Sequence, residues 1–205
     1  MNLATILDGH PDEAPALISR GQVTSYGDLR AQVGELRGGL TGLGVVAGDR
    51  VAIACANNWF FAVSYFAVLG IGAVAVPLNP ASPTAELETE LKAIGARTLI
   101  AGPAARDAVN GIDRSAVGLD LVISPDGSGV DDATAVESLL GGASFPLVDR
   151  QADDLAVLVF TSGTAGSPKA AMLTHGNLLS NIDQGQRLPA RRIEASDVSF
   201  GVLPL

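Results

Sequence analysis

The sequence predicts an α/β fold, mostly parallel β-sheets flanked by helices, and three observations point there. Short charge-free apolar runs recur at Val51–Ala54, Thr98–Ala101 and Leu155–Phe160, which is how strands buried on both faces read. Between them lie stretches of helical periodicity, clearest where Leu29, Val33, Leu36, Leu40 and Leu43 form one stripe. Strand and helix then alternate at a spacing that suits crossover connections and a parallel sheet. A hydrophobic content of 47% over 205 residues is ample for a packed core and argues against disorder.

The elements follow in order. Ala16–Ser19 and Gln22–Thr24 flank Arg20-Gly21 and read as a hairpin. Ser25 opens the striped helix with Asp28 as a capping signal, and Gly44 ends it. After the turn Val45–Arg50 comes the strand Val51–Ala54; Asn57 or Asn58 then caps a helix through Trp59–Leu69. Gly70 to Pro80 reads as a turn and a strand ending at two prolines. Ser82-Pro83 starts a helix that closes at Gly95, before the strand Thr98–Ala101. From Gly102 to Arg150 the pattern weakens, with Leu119–Ile123 expected as a strand and Ala133–Leu140 as a short helix. Thr174 can cap a helix from His175 through Leu178, Leu179 and Ile182, and Ser199–Leu203 begins a further strand.

Charge and cysteine usage narrow the partners. A formal net charge of −9, with no basic cluster beyond Arg191-Arg192, makes nucleic acid and anionic membranes poor partners. Cys55 is the single cysteine, so there is no disulfide framework, and a reducing, cytoplasmic location fits. The first residues lack the basic-then-apolar order of a signal peptide. Val51–Ala85 carries no charge, and Trp59–Leu78 is long enough to span a bilayer, but Gly70, Gly72, Pro77 and Pro80 interrupt it. A buried helix and strand explain those breaks better. Trp59, Phe60, Phe61, Tyr65 and Phe66 read as core, with an aromatic substrate pocket as the alternative. Glu86, Glu88 and Glu90 read as a solvated, dipole-stabilising face, with a metal site as the alternative.

The chemistry concentrates in one loop. The apolar run Leu155–Phe160 gives way within one residue to Thr161-Ser162-Gly163-Thr164-Ala165-Gly166-Ser167, then Pro168-Lys169. Four hydroxyls and two glycines suit an anion: the glycines let successive N–H groups converge, and the hydroxyls add donors. Lys169 adds a mobile positive charge and is one of only two lysines, the other being Lys92. A plain Ser/Thr/Gly turn between two strands is the bland alternative. This is not a Walker A loop, because Pro168 precedes the lysine and Ala170-Ala171-Met172-Leu173 reads as a strand rather than a helix.

Phe160 through Lys169, followed by Met172-Leu173-Thr174-His175-Gly176-Asn177-Leu178, closely resembles the phosphate loop of the adenylate-forming superfamily. The family pattern is Tyr/Phe-Thr-Ser-Gly-Ser/Thr-Thr-Gly-x-Pro-Lys-Gly, then an apolar stretch and Thr/Ser-His-x-Asn. Ala165 and Ala170 depart from it, standing where threonine and glycine are usual. The order Leu-Gly-Val, then Gly-Asp-Arg-Val-Ala-Ile, and the stretch Gly72–Pro80 are similar to the family as well, most of all to fatty-acid and other acyl-CoA synthetases. The resemblance covers essentially the whole chain and is weakest over Gly102–Arg150.

The resemblance implies a first sheet subdomain over residues 1–150 and the start of a second, carrying the loop, over 151–205. It also implies that the chain is the N-terminal part of a longer enzyme, truncated before the motifs that complete the site and therefore inactive alone. In the parent enzyme, a carboxylic acid and ATP give an acyl-adenylate and pyrophosphate, and the thiol of coenzyme A then takes the acyl group. Thr161, Ser162, Gly163, Thr164, Ala165 and Gly166 would wrap the phosphates, Lys169 would serve as the catalytic cation, and the Thr164 hydroxyl would approach Mg²⁺. His175 is expected to orient structure rather than act as a base, since no Ser, Cys or carboxylate partner is visible. A non-catalytic nucleotide- or acyl-binding module and an interaction module are the competing readings. An exposed sheet edge is expected to favour self-association.

Overall fold

Left-handed Arg20 and Gly21 (φ 52° and 79°) close a ribbon of β1 (Pro15–Ser19) and β2 (Gln22–Ser25), paired antiparallel. The ribbon belongs to a computed structural model that describes residues 1–161, 169–187, 194 and 197–201. Ser25 caps α1 (Tyr26–Gly42): its hydroxyl accepts the Asp28 N–H at 3.1 Å and donates to the Asp28 carboxylate at 2.7 Å. Asn58 does the same work for α2 (Trp59–Ile71), accepting the Phe61 N–H at 3.1 Å. Gly72, at φ 81°, closes that helix in the left-handed region where other residues are strained.

β3 (Arg50–Ala54) precedes α2, and β4 (Val74–Pro77) follows it. Next come α3 (Thr84–Ile94), β5 (Thr98–Ala101), α4 (Arg106–Asn110), α5 (Arg114–Val117), β6 (Leu121–Ser124) and β7 (Thr134–Ala135). The described elements end with β8 (Leu155–Thr161), β9 (Lys169–Thr174) and α6 (His175–Arg187). The strands form one sheet in the order β7-β6-β5-β3-β4-β8-β9, parallel except for the antiparallel pair β8–β9. The mostly parallel α/β reading is therefore correct.

Period-two alternation sends neighbouring strand residues into two different cores. Val51, Ile53, Ala75 and Ile100 join the cluster built on α1 and α2, including Leu36, Leu40 and Phe61. Ala52, Ala54, Val76, Leu99 and Ala101 join the cluster under α3, with Leu87, Leu91 and Ile94. Both faces are covered, so the strands carry apolar residues continuously, and each fully buried leucine contributes about 1.5–3 kcal/mol.

Three expectations change. Ala133–Leu140 is not an α-helix: Thr134–Ala135 pairs with β6, and Val136–Leu139 is one 3₁₀ turn. The segment is too short to nucleate a helix alone, and edge pairing with burial of Val136 wins. The strand expected at Leu119–Ile123 begins at Leu121, because left-handed Gly118 (φ 73°) first closes α5. Residues 199–201 form no strand, and 202–205 lie outside the described residues.

Candidate functional site

The hydroxyl-rich loop is carried by the β8–β9 hairpin. Thr161 and Lys169 face one another at its mouth, and the Thr161 hydroxyl donates to the Lys169 carbonyl at 3.3 Å. Both residues are exposed, and among the described residues no carboxylate pairs with the Lys169 ammonium. Ser162, Gly163, Thr164, Ala165 and Gly166 lie outside the described residues, and with them the assignment of Thr164 to Mg²⁺. Ala170, one of the two departures, pairs with Phe160, and both pack half-buried against the α3-side core. Its methyl group therefore anchors the strand beside the lysine.

Parallel pairing sets where this mouth opens. β8 runs with β4, and β4 with β3, so Thr161 emerges at the carboxyl edge of the sheet together with Pro77, Cys55 and Gly102. Open α/β sheets hold their ligands at that edge. An exposed ammonium and a hydroxyl presented there are hard donors suited to a polyphosphate.

The base of the hairpin is tied down by residues that sequence reasoning did not single out. Asn2 donates its side-chain amide to the Leu69 and Val148 carbonyls at 2.7 and 2.9 Å. Arg150 and Asp154 form an ion pair at 3.0 Å, and Asp154 also accepts the Gln151 N–H at 2.8 Å. The available signals were local: an Asn before the short run Leu3–Leu7, and the acid pair Asp153-Asp154 just before β8. His175 is fully buried and accepts the Leu3 N–H on Nδ1 at 2.9 Å. Burial, followed by nearby Arg150, lowers its pKa from the usual 6.5, outweighing Asp154. A structural role was expected for it, and its geometry is of that kind. Thr174 and Asn177 cap α6 reciprocally, each side chain accepting the other's N–H at 3.1 Å.

The remaining residues sort by burial. Phe60 and Phe61 are buried, and Trp59, Tyr65 and Phe66 pack against the same core. Trp59 donates its indole N–H to Gln32 at 2.6 Å, and burial pushes the Tyr65 hydroxyl up to about 12. Glu90 is buried rather than solvated, at 8% exposure; burial and then Glu86 raise its pKa. Among the described residues no group of acids, histidines and cysteines is placed to hold a metal ion. Nor is any described helix long and apolar enough to cross a membrane.

Comparison with known proteins bears on the whole architecture. The family model described as AMP-binding enzyme matches residues 3–205. 4-Coumarate–CoA ligase 2 of Oryza sativa subsp. japonica is 32% identical over 211 residues, covering 94% of this chain and 37% of that protein. Among solved structures, a Rhodopseudomonas palustris CGA009 protein provisionally named a long-chain-fatty-acid CoA ligase superposes with a TM-score of 0.84 at 30% identity. That match covers 98% of this chain and 50% of the other. ATP-bound MatB from Rhodopseudomonas palustris gives a TM-score of 0.73 at 34% identity, over 88% of this chain and 36% of that one. The chain spans about a third of the length of the curated relatives it matches. With the sheet, the hairpin and the loop sequence in agreement with a match from residue 3 to residue 205, the chain belongs to the AMP-binding enzyme family.

Proposed function

We propose that this chain supplies the phosphate-holding part of an ATP-dependent acyl-CoA ligase. The carrying observation is the pairing of Thr161 with Lys169 at the carboxyl edge of the sheet, across a loop of hydroxyls and glycines. In the first half-reaction a carboxylate oxygen bonds to the α-phosphorus of ATP while the bond to pyrophosphate breaks. In the second, the coenzyme A sulfur bonds to the acyl carbon and AMP leaves. Carboxylates are weak nucleophiles, so catalysis rests on positioning and on neutralising charge as it develops. In this reading the Lys169 ammonium meets the departing pyrophosphate, and the exposure of Lys169 at the hairpin mouth supports it. Thr161, Ser162, Gly163, Thr164, Ala165 and Gly166 donate N–H and hydroxyl groups to the β- and γ-phosphates. Mg²⁺, when bound, neutralises phosphate charge, and Thr164 is the hydroxyl assigned to it.

The test is carboxylate-dependent exchange of labelled pyrophosphate into ATP, measured on the protein at its native length in its source cells. Exchange that falls about 100-fold in Lys169→Ala supports the assignment. Unchanged exchange in that variant overturns it, and ATP binding without any exchange would favour a non-catalytic nucleotide-binding module. Residues 1–150 as a first unit and 151–205 as the start of a second belong to the same proposal, with β8 and β9 the outermost described strands on one side of the sheet. So does a cytoplasmic location, supported by the buried free thiol of Cys55. Self-association along the outer side of β9, beside exposed Met172, completes it; a monodisperse monomer by light scattering contradicts that part.

A further inference from the structure

The β8–β9 hairpin is paired along its whole length and is the outermost part of the described sheet on its side. Its two strands pair from Leu155–Thr174 to Thr161–Lys169, β8 runs beside β4, and Ala156, Val157 and Leu158 are buried in the two cores. Its base is fixed by a cluster around His175. The His175 N–H donates to the Asp154 carbonyl at 3.1 Å, and the Gly176 N–H to the Ala152 carbonyl at 2.8 Å. A Cβ on Gly176 would stand 2.7 Å from that same Ala152 oxygen, so the approach is as close as the backbone allows. The imidazole then reaches the other way, to the Leu3 N–H, and Asn2 holds that N-terminal segment to Leu69 and Val148. Lys169 lies at the far end of β9, roughly 20 Å along the strand.

The hydrogen bond to Leu3 has a chemical consequence. Nδ1 accepts, so the neutral ring carries its proton on Nε2, a buried atom with no partner among the described residues. A second proton would go to Nδ1 and face the Leu3 N–H, donor against donor. The charged groups near the ring are Arg150 and Asp154 from the segment before β8 and the Met1 amine, itself paired with Asp149. Two of the three nearest are cations.

We propose that His175 is a positioning residue, a proton-sensitive latch between the N-terminal segment and the base of the β8–β9 hairpin that sets the placement of Lys169. The proposal rests on the phosphate-loop reading for its catalytic meaning, but the latch itself is testable without nucleotide. Hydrogen exchange of residues 1–7 and of the hairpin strands, 155–161 and 169–174, would be followed from pH 8 to pH 5, corrected for intrinsic rates and referenced to β3. In the unsubstituted chain, protection of both segments should fall roughly tenfold as pH drops below 6.5, while β3 holds. His175→Asn offers an amide oxygen in place of Nδ1 and cannot take the proton, so its protection should stay near the neutral-pH level throughout. His175→Ala should lose protection at every pH. A hairpin whose protection tracks β3 across the range, or an Asn variant with the same pH profile as the parent, overturns the latch. If the Ala variant does not fold, those two profiles decide. Absence of ATP binding would count against the loop reading alone.

Discussion

Lys169 stands exposed at the mouth of the hairpin, with its side chain outside both cores. Removing it should therefore separate chemistry from folding: Lys169→Ala is expected to keep the parent thermal midpoint within about 1 °C, because surface changes of this kind are usually small. Loss of a cooperative transition on calorimetry would contradict that. Glu90 is the opposite case. Its Oε2 is buried without a partner, and its raised pKa disfavours the charged form in the fold. Stability from the neutral carboxyl is present below the unfolded value of 4.5 and is lost as pH rises through the folded value. Glu90→Gln should thus stabilise the chain at pH 7 by about 1 kcal/mol, roughly 2–4 °C, with the advantage fading toward pH 4. Equal melting temperatures at pH 7 would sink it.

At the scale of elements, the segment after the Val136–Leu139 turn lies directly on α1. Arg37 donates Nε to the Phe145 carbonyl at 2.6 Å, and a Cβ on Gly38 would fall 2.1 Å from the Ala143 oxygen. Gly38→Ala must push that segment away and is expected to cost about 2 kcal/mol on chemical denaturation, despite alanine's better helix propensity. A neutral or stabilising result would mean the segment does not pack there. The same region explains what was legible and what was not. α1 was readable because stripe, cap and terminating glycine agree locally, and α2 because an Asn cap precedes an aromatic-rich apolar run. β7 was not, because Thr134-Ala135 becomes a strand only through β6, a contact with no local signature. The short helices α4 and α5 likewise carry too few turns for periodicity to register.

At the scale of the molecule, the parallel sheet was legible in charge-free runs buried on both faces, and the loop in an abrupt change from apolar to hydroxyl residues. The tie between Leu3 and His175, and the hold of Asn2 on Leu69 and Val148, were not, because they join positions far apart in sequence through one imidazole and one amide. The account's central claim is that the loop from Thr161 to Lys169 grips a nucleotide's phosphates. The direct measurement is titration of the isotope-labelled chain with Mg·ATP, following backbone amide shifts. Shifts clustered between Thr161 and Lys169, and abolished by Lys169→Ala, are the expected result. Shifts centred elsewhere, or unchanged in the variant, would contradict it.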